Sequence, residues 1–482
     1  MDTVDVIVVG SGPNGMAAAV TMARAGLSVR VYERGSTIGG GARTAELTLP
    51  GFKHDLGSAV HPMALASGFF QKFELAKRID LVVPELSYGH PLDGGRAGLA
   101  WRDLDRTVAE LGHDGPAWRR LFAPLVHRAQ EVAQFTGSPV LQLPRHPLTV
   151  ARLSLRILEQ GGPAWNLRFR NDEAPAMLVG SFAHSIRRMP SLATAAVGLV
   201  LATHAHARGW PIPVGGSQSI INAMAADLID HGGQIVTNTE VTTVAELPPS
   251  RVVIFDTSAR SLARIAAGVL PERYARTLSR FRYGNAAAKV DFALSAPVPW
   301  ANEQLRSAGT VHLGGSRSEI AASEADVAAG RHPLSPYVLV SEPTLTDPSR
   351  APQGKHVLWT YTHVPAGSRV DRTEAITAQI ERFAPGFRDT ILGSTAQSAM
   401  QLADWNPNYV GGDIAAGEPS LGQLIARPLL STEPWRTPAR GIYLCSSSTP
   451  PGPGVHGLAG FYAARSALAT EFGLPVPRLG LD

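Results

Sequence analysis

Apolar positions follow two periods along this chain, and the places where the period changes mark out its parts. Near the amino end Val6 to Val9 form an apolar run that stops at glycine, with the β-branched content of a buried parallel strand. Met16 to Ala25 is alanine-rich and reads as a helix, Gly26 ends it, and Leu27 to Glu33 returns as a second strand. From about 76 to 204, stretches of helical period dominate and strand signals are few. Pro211 to Gly216 reads as a hinge-like turn before the amphipathic helix SIINAMAADLIDHGG at 219–233. QIVTNTEVTTV and RVVIFDT then read as strands that return to the first part. AAKVDFAL, YVLVSEP and HVLWTYTHV, between 262 and 430, read as strand-like pieces of a mixed sheet. No internal repeat or low-complexity linker interrupts the pattern.

Composition narrows the class. At 482 residues the chain is too long for one ordinary core, so two lobes, or a lobe with insertions, are expected. Hydrophobic residues at 44% and charged residues at 17% describe a packed globular protein. The net charge of +4 is small, and no Lys/Arg run resembles a nucleic-acid stripe, so no nucleic-acid partner is expected. A single cysteine, Cys445, rules out an internal disulfide framework and any multi-cysteine metal site. No other metal-ligand spacing stands out, and no metal is expected. The chain runs straight into a strand without a leader-like segment. Its longest apolar stretch, Leu192 to Ala202, falls short of the ~20 residues of a spanning helix. A cytoplasmic protein is the expectation.

Chemistry is suggested by glycine. Gly10, Gly12 and Gly15 stand between the first strand and the first helix. In a βαβ unit the first permits a tight turn, the second lets a pyrophosphate reach the backbone, and the third lets helix and strand pack closely. Glu33, at the end of the second strand, suits a ribose hydroxyl. GSTIGGGARTAEL follows, where Gly39, Gly40, Gly41 and Arg43 offer backbone N–H groups and a cation to the same diphosphate. At the other end, CSSSTPPGPGVHGLAGFYAARSAL places Gly452, Gly454 and Gly457 before a helix. Bare backbone at a helix start admits an anion or a flat ligand.

These motifs, together with GWPIPVGGSQSIINAMAADLIDHGG, FRYGNAAAKVDFAL and NPNYVGGDIAAG, resemble the phytoene-desaturase-like FAD oxidoreductases of the flavin amine oxidase and carotenoid desaturase superfamily. The match spans nearly the whole chain. It implies an α/β fold in which 1–75, 205–261 and 431–482 form a discontinuous, Rossmann-like FAD-binding domain. Residues 76–204 form a mostly helical insert, and 262–430 a substrate domain with a mixed sheet. It implies non-covalent FAD held by Gly10, Gly12, Pro13, Asn14, Gly15, Glu33, Arg34, Gly40, Gly41, Ala42, Arg43, Val241, Ser447, Gly454, Val455 and His456, with the last helix pointing its N-terminus at the isoalloxazine. Cys445 is expected to be a buried core thiol.

The implied reaction is dehydrogenation of a largely apolar small molecule, such as an isoprenoid or lipid-like compound. A flavin oxidase of amines or amino acids is the alternative, and a flavin-dependent isomerase or non-redox flavoprotein the second. No further glycine fingerprint for a nicotinamide cofactor exists, so electrons are expected to pass to oxygen, a quinone or a partner protein. Val455 stands where amine oxidases of the superfamily carry an aromatic. Lys289, one of five lysines, matches in placement a strand lysine that flavin amine oxidases hold near N5. A buried lysine needs a partner; the other reading has Lys289 and Asp291 facing solvent together. His456 either faces substrate or caps its turn. His61, with Asp55 in HDLGSAVHP, is a further candidate catalyst. Helical 149–160, with Arg152 and Arg156, either covers the core or touches a membrane surface.

Overall fold

The computed structural model describes residues 3–139, 141 and 143–481. Two sheets organise it. The first is five-stranded and parallel throughout, built from β1 (Val4–Val9), β2 (Val29–Tyr32), β5 (Gln234–Val236), β6 (Ser250–Phe255) and β12 (Ile442–Leu444) in the order β12-β6-β1-β2-β5. The second is seven-stranded and mixed. Its members are β3 (Leu86–Pro91), β4 (Ala97–Trp101), β7 (Ala286–Leu294), β8 (Ala308–Leu313), β9 (Val338–Ser341), β10 (His356–Val364) and β11 (Ile391–Gln397), in the order β11-β7-β10-β9-β8-β3-β4. Only the β8–β3 pairing in it is parallel.

Strand segments from three widely separated parts of the chain meet in the parallel sheet. The reason is apolar: β1 and β6 are buried nearly throughout, and a parallel sheet needs both faces covered. Helix α1 (Pro13–Arg24) covers one face, and α6 (Leu458–Ala467) crosses it. A Cβ on Gly460 would lie 1.8 Å from the Asn14 carbonyl oxygen. Glycine there lets the two ends of the chain touch. QIVTNTEVTTV contributes only the three residues of β5; beyond it the chain leaves the sheet and carries Val241 elsewhere.

The stretch expected to be mostly helical holds α2 (Pro147–Gln160), α3 (Glu173–Ala183) and α4 (Leu192–Ala207). It also supplies β3 and β4, which no strand signal announced, to the mixed sheet. α4 is buried around most of its circumference because it lies between α2 and the sheet. No helix among the described residues is long and apolar enough to cross a membrane. The hinge-like turn ends in α5 (Gln218–Asp230), as its apolar spacing predicts.

Candidate active site

One cavity of about 480 Å³ runs from the amino-terminal glycines to the mixed sheet. At its first end the wall is mostly main chain. Gly10 has φ of +100°, open only to glycine at low cost. A Cβ on Gly40 would lie 2.9 Å from the Gly12 Cα, and one on Gly41 2.3 Å from the Tyr409 hydroxyl. Pro13, Asn14, Glu33, Arg34 and Arg43 also line this end. Gly15 and Ala42 do not. Gly15 serves packing, since a Cβ there would lie 2.2 Å from the Gly10 carbonyl oxygen, and Ala42 is fully buried.

Glu33 fixes the turn beside it. Its Oε2 accepts the Ser11 N–H at 3.1 Å and the Ser11 hydroxyl at 2.5 Å, while Oε1 accepts the Gly35 N–H at 2.7 Å. Arg34 donates to the Asp404 and Trp405 carbonyls. Arg43 lies over the Trp405 ring at 4.6 Å and donates to Thr37, with its Nε buried and unpartnered.

Midway, Val241, Ser447, Gly454 and Val455 line the cavity. His456 does not, which corrects its placement as a candidate catalyst. Its Nδ1 accepts the Leu458 N–H at 3.0 Å, so Nε2 carries the proton and donates to the Gly452 carbonyl at 3.1 Å. Both nitrogens are used in shaping the turn. Cys445 is fully buried, as expected of a core thiol, and burial pushes its thiol up.

The far end is made of side chains from the mixed sheet. Strand alternation puts Lys289 and Asp291 on one face, paired in register with Tyr361 and Trp359 of β10. That face is not solvent: Lys289 is 4% and Asp291 1% exposed, so the solvent-facing reading fails. They are ion-paired to each other. Burial pushes the ammonium down and the carboxyl up, which brings their proton affinities closer together. Lys289, Trp359 and Tyr361 all line the cavity, and the two rings pack edge to face at 5.4 Å. His184, Trp210, Leu201, Leu339 and Ile414 complete the wall.

His61 also lines the cavity and belongs to a buried relay. The Ser217 hydroxyl donates to the Ser58 carbonyl at 2.5 Å, so its oxygen accepts from His61 Nε2 at 2.8 Å. That fixes the lone pair on Nδ1. Burial lowers the ring to about 4, leaving it neutral near pH 7. Asp55 lies behind, accepting from the Ser217 N–H, Thr44 and Arg350.

Sequence reasoning missed Asp256, Tyr409, Trp359 and Tyr361. Asp256 directly follows an apolar parallel strand, a position where α/β sheets place ligand contacts, and that was the available signal. The two aromatics alternate in HVLWTYTHV, but nothing local shows which strand they join.

The profile of the family described as flavin containing amine oxidoreductase matches residues 14–465. The rat protein called pyridine nucleotide-disulfide oxidoreductase domain-containing protein 2 is 25% identical, covering 95% of this chain and 92% of its own. A phytoene dehydrogenase of Streptomyces griseus is 27% identical over 82% of this chain and 79% of its own. Among solved structures, wild-type putrescine oxidase bound to putrescine shares the fold at a TM-score of 0.58 and 19% identity, covering 97% of this chain and 99% of its own. An oxidoreductase from Methanosarcina mazei does so at 0.59 and 17%, with 97% and 100% covered. The chain belongs to the flavin-containing amine oxidoreductase family, and it is an oxidoreductase whose cofactor is FAD.

Proposed function

We propose that FAD lies non-covalently along this cavity and that the enzyme dehydrogenates a largely apolar small molecule at the mixed-sheet end. Gly10, Gly12, Pro13, Asn14, Gly40, Gly41 and Arg43 would hold the diphosphate, and Glu33 a ribose hydroxyl. Val241, Ser447, Gly454 and Val455 would hold the remainder. The residues fit such a group: the main-chain cradle excludes side chains, and the buried Arg43 Nε and Asn14 Oδ1 lack partners among the described residues. Bound FAD supplies a two-electron acceptor for a C–H or C–N bond.

One observation carries the substrate class. Among the described residues at the far end, Lys289 is the charged side chain on the cavity wall, amid Leu201, Leu339, Leu402 and Ile414. A cationic substrate would meet a like charge with no free carboxylate to offset it. An apolar one is desolvated against the leucines and isoleucine of this wall. The chain's own groups then hold position and protons. The Lys289–Asp291 pair sets a cation beside the reacting bond, and neutral His61, whose Nδ1 lies 3.5 Å from the Ser58 hydroxyl, is the nearby proton acceptor.

The second reading is an amine oxidase. The crossed Trp359 and Tyr361 rings could flank a neutral amine from β10, a role that Val455 cannot fill. Anaerobic bleaching of the bound flavin across isoprenoid, fatty and amine compounds separates the two. Bleaching by apolar compounds is the expected result, and bleaching by small amines alone would overturn it. The acceptor is then read by supplying oxygen, a quinone or a protein dye in turn.

The helical insert suggests how an apolar substrate arrives. Leu148, Leu155 and Leu158 of α2 are 57–64% exposed, with Leu143 at 94% beside them. Arg152 and Arg156 flank these leucines, Arg156 being ion-paired with Glu159, so Arg152 supplies the cation suited to an anionic membrane surface. α4 lies between α2 and the cavity, which its Leu201 and Val197 line.

A further inference from the structure

The three fingerprint glycines clear room for a side chain as well as for a ligand. A Cβ on Gly12 would lie 2.5 Å from Asp256 Oδ2, one on Gly15 3.1 Å from the same oxygen, and one on Gly10 2.8 Å from the Asp256 carbonyl oxygen. Asp256 Oδ2 accepts the Gly15 N–H at 2.9 Å, in the first turn of α1. The residue is 8% exposed and lines the cavity. A carboxyl therefore already occupies the positive end of α1, the place that draws a dinucleotide's diphosphate.

Two full negative charges there would repel. Among the described residues no cation is ion-paired with Asp256. The titratable groups that face it come from three directions: Glu33 from the end of β2, Tyr409 from the loop over Gly41, and Cys445 just after β12. Burial raises both Tyr409 and Cys445 and keeps them neutral. Arg43 interacts with Glu33 and Tyr409 and is not among the groups that shift Asp256. The side-chain charge acting on Asp256 is thus the like charge of Glu33; the Gly15 N–H and the positive end of α1 favour ionisation, and burial outweighs them.

We propose that Asp256 is a cofactor-binding residue that meets the diphosphate as a neutral carboxylic acid, so that FAD binding brings one proton with it. This rests on the FAD placement proposed above. The proton comes from solvent; the acid keeps the Gly15 N–H on one oxygen and is free to donate from the other. Burial, with Glu33 beside it, pushes Asp256 up to about 7 in the free protein. Below that pH the carboxyl already holds its proton and affinity is flat. Above it, binding must take up a proton, and affinity falls by up to about tenfold per pH unit.

The test follows release of FAD from the diluted holoenzyme, by recovery of free-flavin fluorescence, from about pH 6 to about pH 9. Wild type should show the rising dissociation constant. Asp256→Asn, a permanently neutral donor, should be flat to within about threefold across the same range. Calorimetric titration in two buffers of different ionisation heat should show close to one proton taken up per FAD above neutral pH in wild type. A flat wild-type profile without proton uptake overturns the proposal, as does an Asp256→Asn variant that keeps the wild-type slope. Should that variant not fold, the wild-type proton count decides alone. If neither protein retains or takes up FAD at any pH, the placement of FAD itself has failed.

Discussion

At the glycine end of the cavity the wall is main chain, held open where no side chain fits, whereas at the β7–β10 end it is side chains on two paired strands. The glycine end is made mainly by one contiguous βαβ segment and the turn after it, joined by Asp256 and Tyr409. Among its charged groups, Glu33 and Arg34 are tied to backbone and Arg43 is stacked on a ring. The far end gathers Lys289, Asp291, Trp359, Tyr361 and His61 from remote parts of the chain, and its charges are paired in a dry interior. The lesson concerns robustness. A main-chain wall tolerates loss of any one polar side chain, because the N–H groups remain. A buried charge wall does not, since removing one partner strands the other.

The sharpest way to break this comparison is Lys289→Met. It should destabilise the fold by about 3–5 kcal/mol at pH 8 in urea denaturation, because Asp291 loses its partner. The sign with pH is defined: the carboxyl's folded value is raised, so stability is retained where it is protonated and lost as pH rises. Near pH 5 the defect should shrink, and adding Asp291→Asn should remove most of it. Equal stability of wild type and Lys289→Met at pH 8 would show that the pair is not desolvated.

Glu33→Ala tests the other end. It should raise the FAD dissociation constant by the equivalent of about 1–3 kcal/mol while the protein stays folded. Unchanged FAD affinity would reduce Glu33 to a brace for Ser11 and Gly35.

A kinetic difference of about 1.4 kcal/mol or more is expected from Lys289→Met, assayed at low pH where it stays folded: reoxidation of the reduced enzyme by oxygen should slow at least tenfold. Reduction by substrate should change less. Stopped-flow absorbance reads both, and unchanged reoxidation would leave the lysine a purely structural role.

The smallest effect on the fold should come from Leu148→Ser with Leu155→Ser, within about 0.5 kcal/mol, since both side chains are exposed. Sedimentation with anionic vesicles should nevertheless fall. Equal sedimentation would assign these leucines no membrane role.

The legibility of the two ends in the sequence differs in the same way. Gly10, Gly12, Gly15, Glu33 and the Gly40–Arg43 turn lie within a few dozen residues, and their spacing reports a local geometry that physics allows few other uses. Even so, local reading gave Gly12 to the ligand and overlooked Asp256, because β6 arrives beside β1 from far along the chain. His456 looked like a candidate catalyst until its two nitrogens were accounted for within the turn. Lys289 carried two readings because alternation tells which residues share a face and not what covers it. Sequence by itself determined the parallel-sheet lobe, the cofactor class and the strand–helix–strand order at the amino end, all of which depend on short-range periodicity and glycine. Tertiary structure alone decided that Lys289 is buried against Asp291, that β10 supplies the aromatic wall, and that a carboxyl sits at the start of α1. Each of those depends on strand pairing across long separations, where the free energy lies in burial and charge pairing that no local pattern encodes.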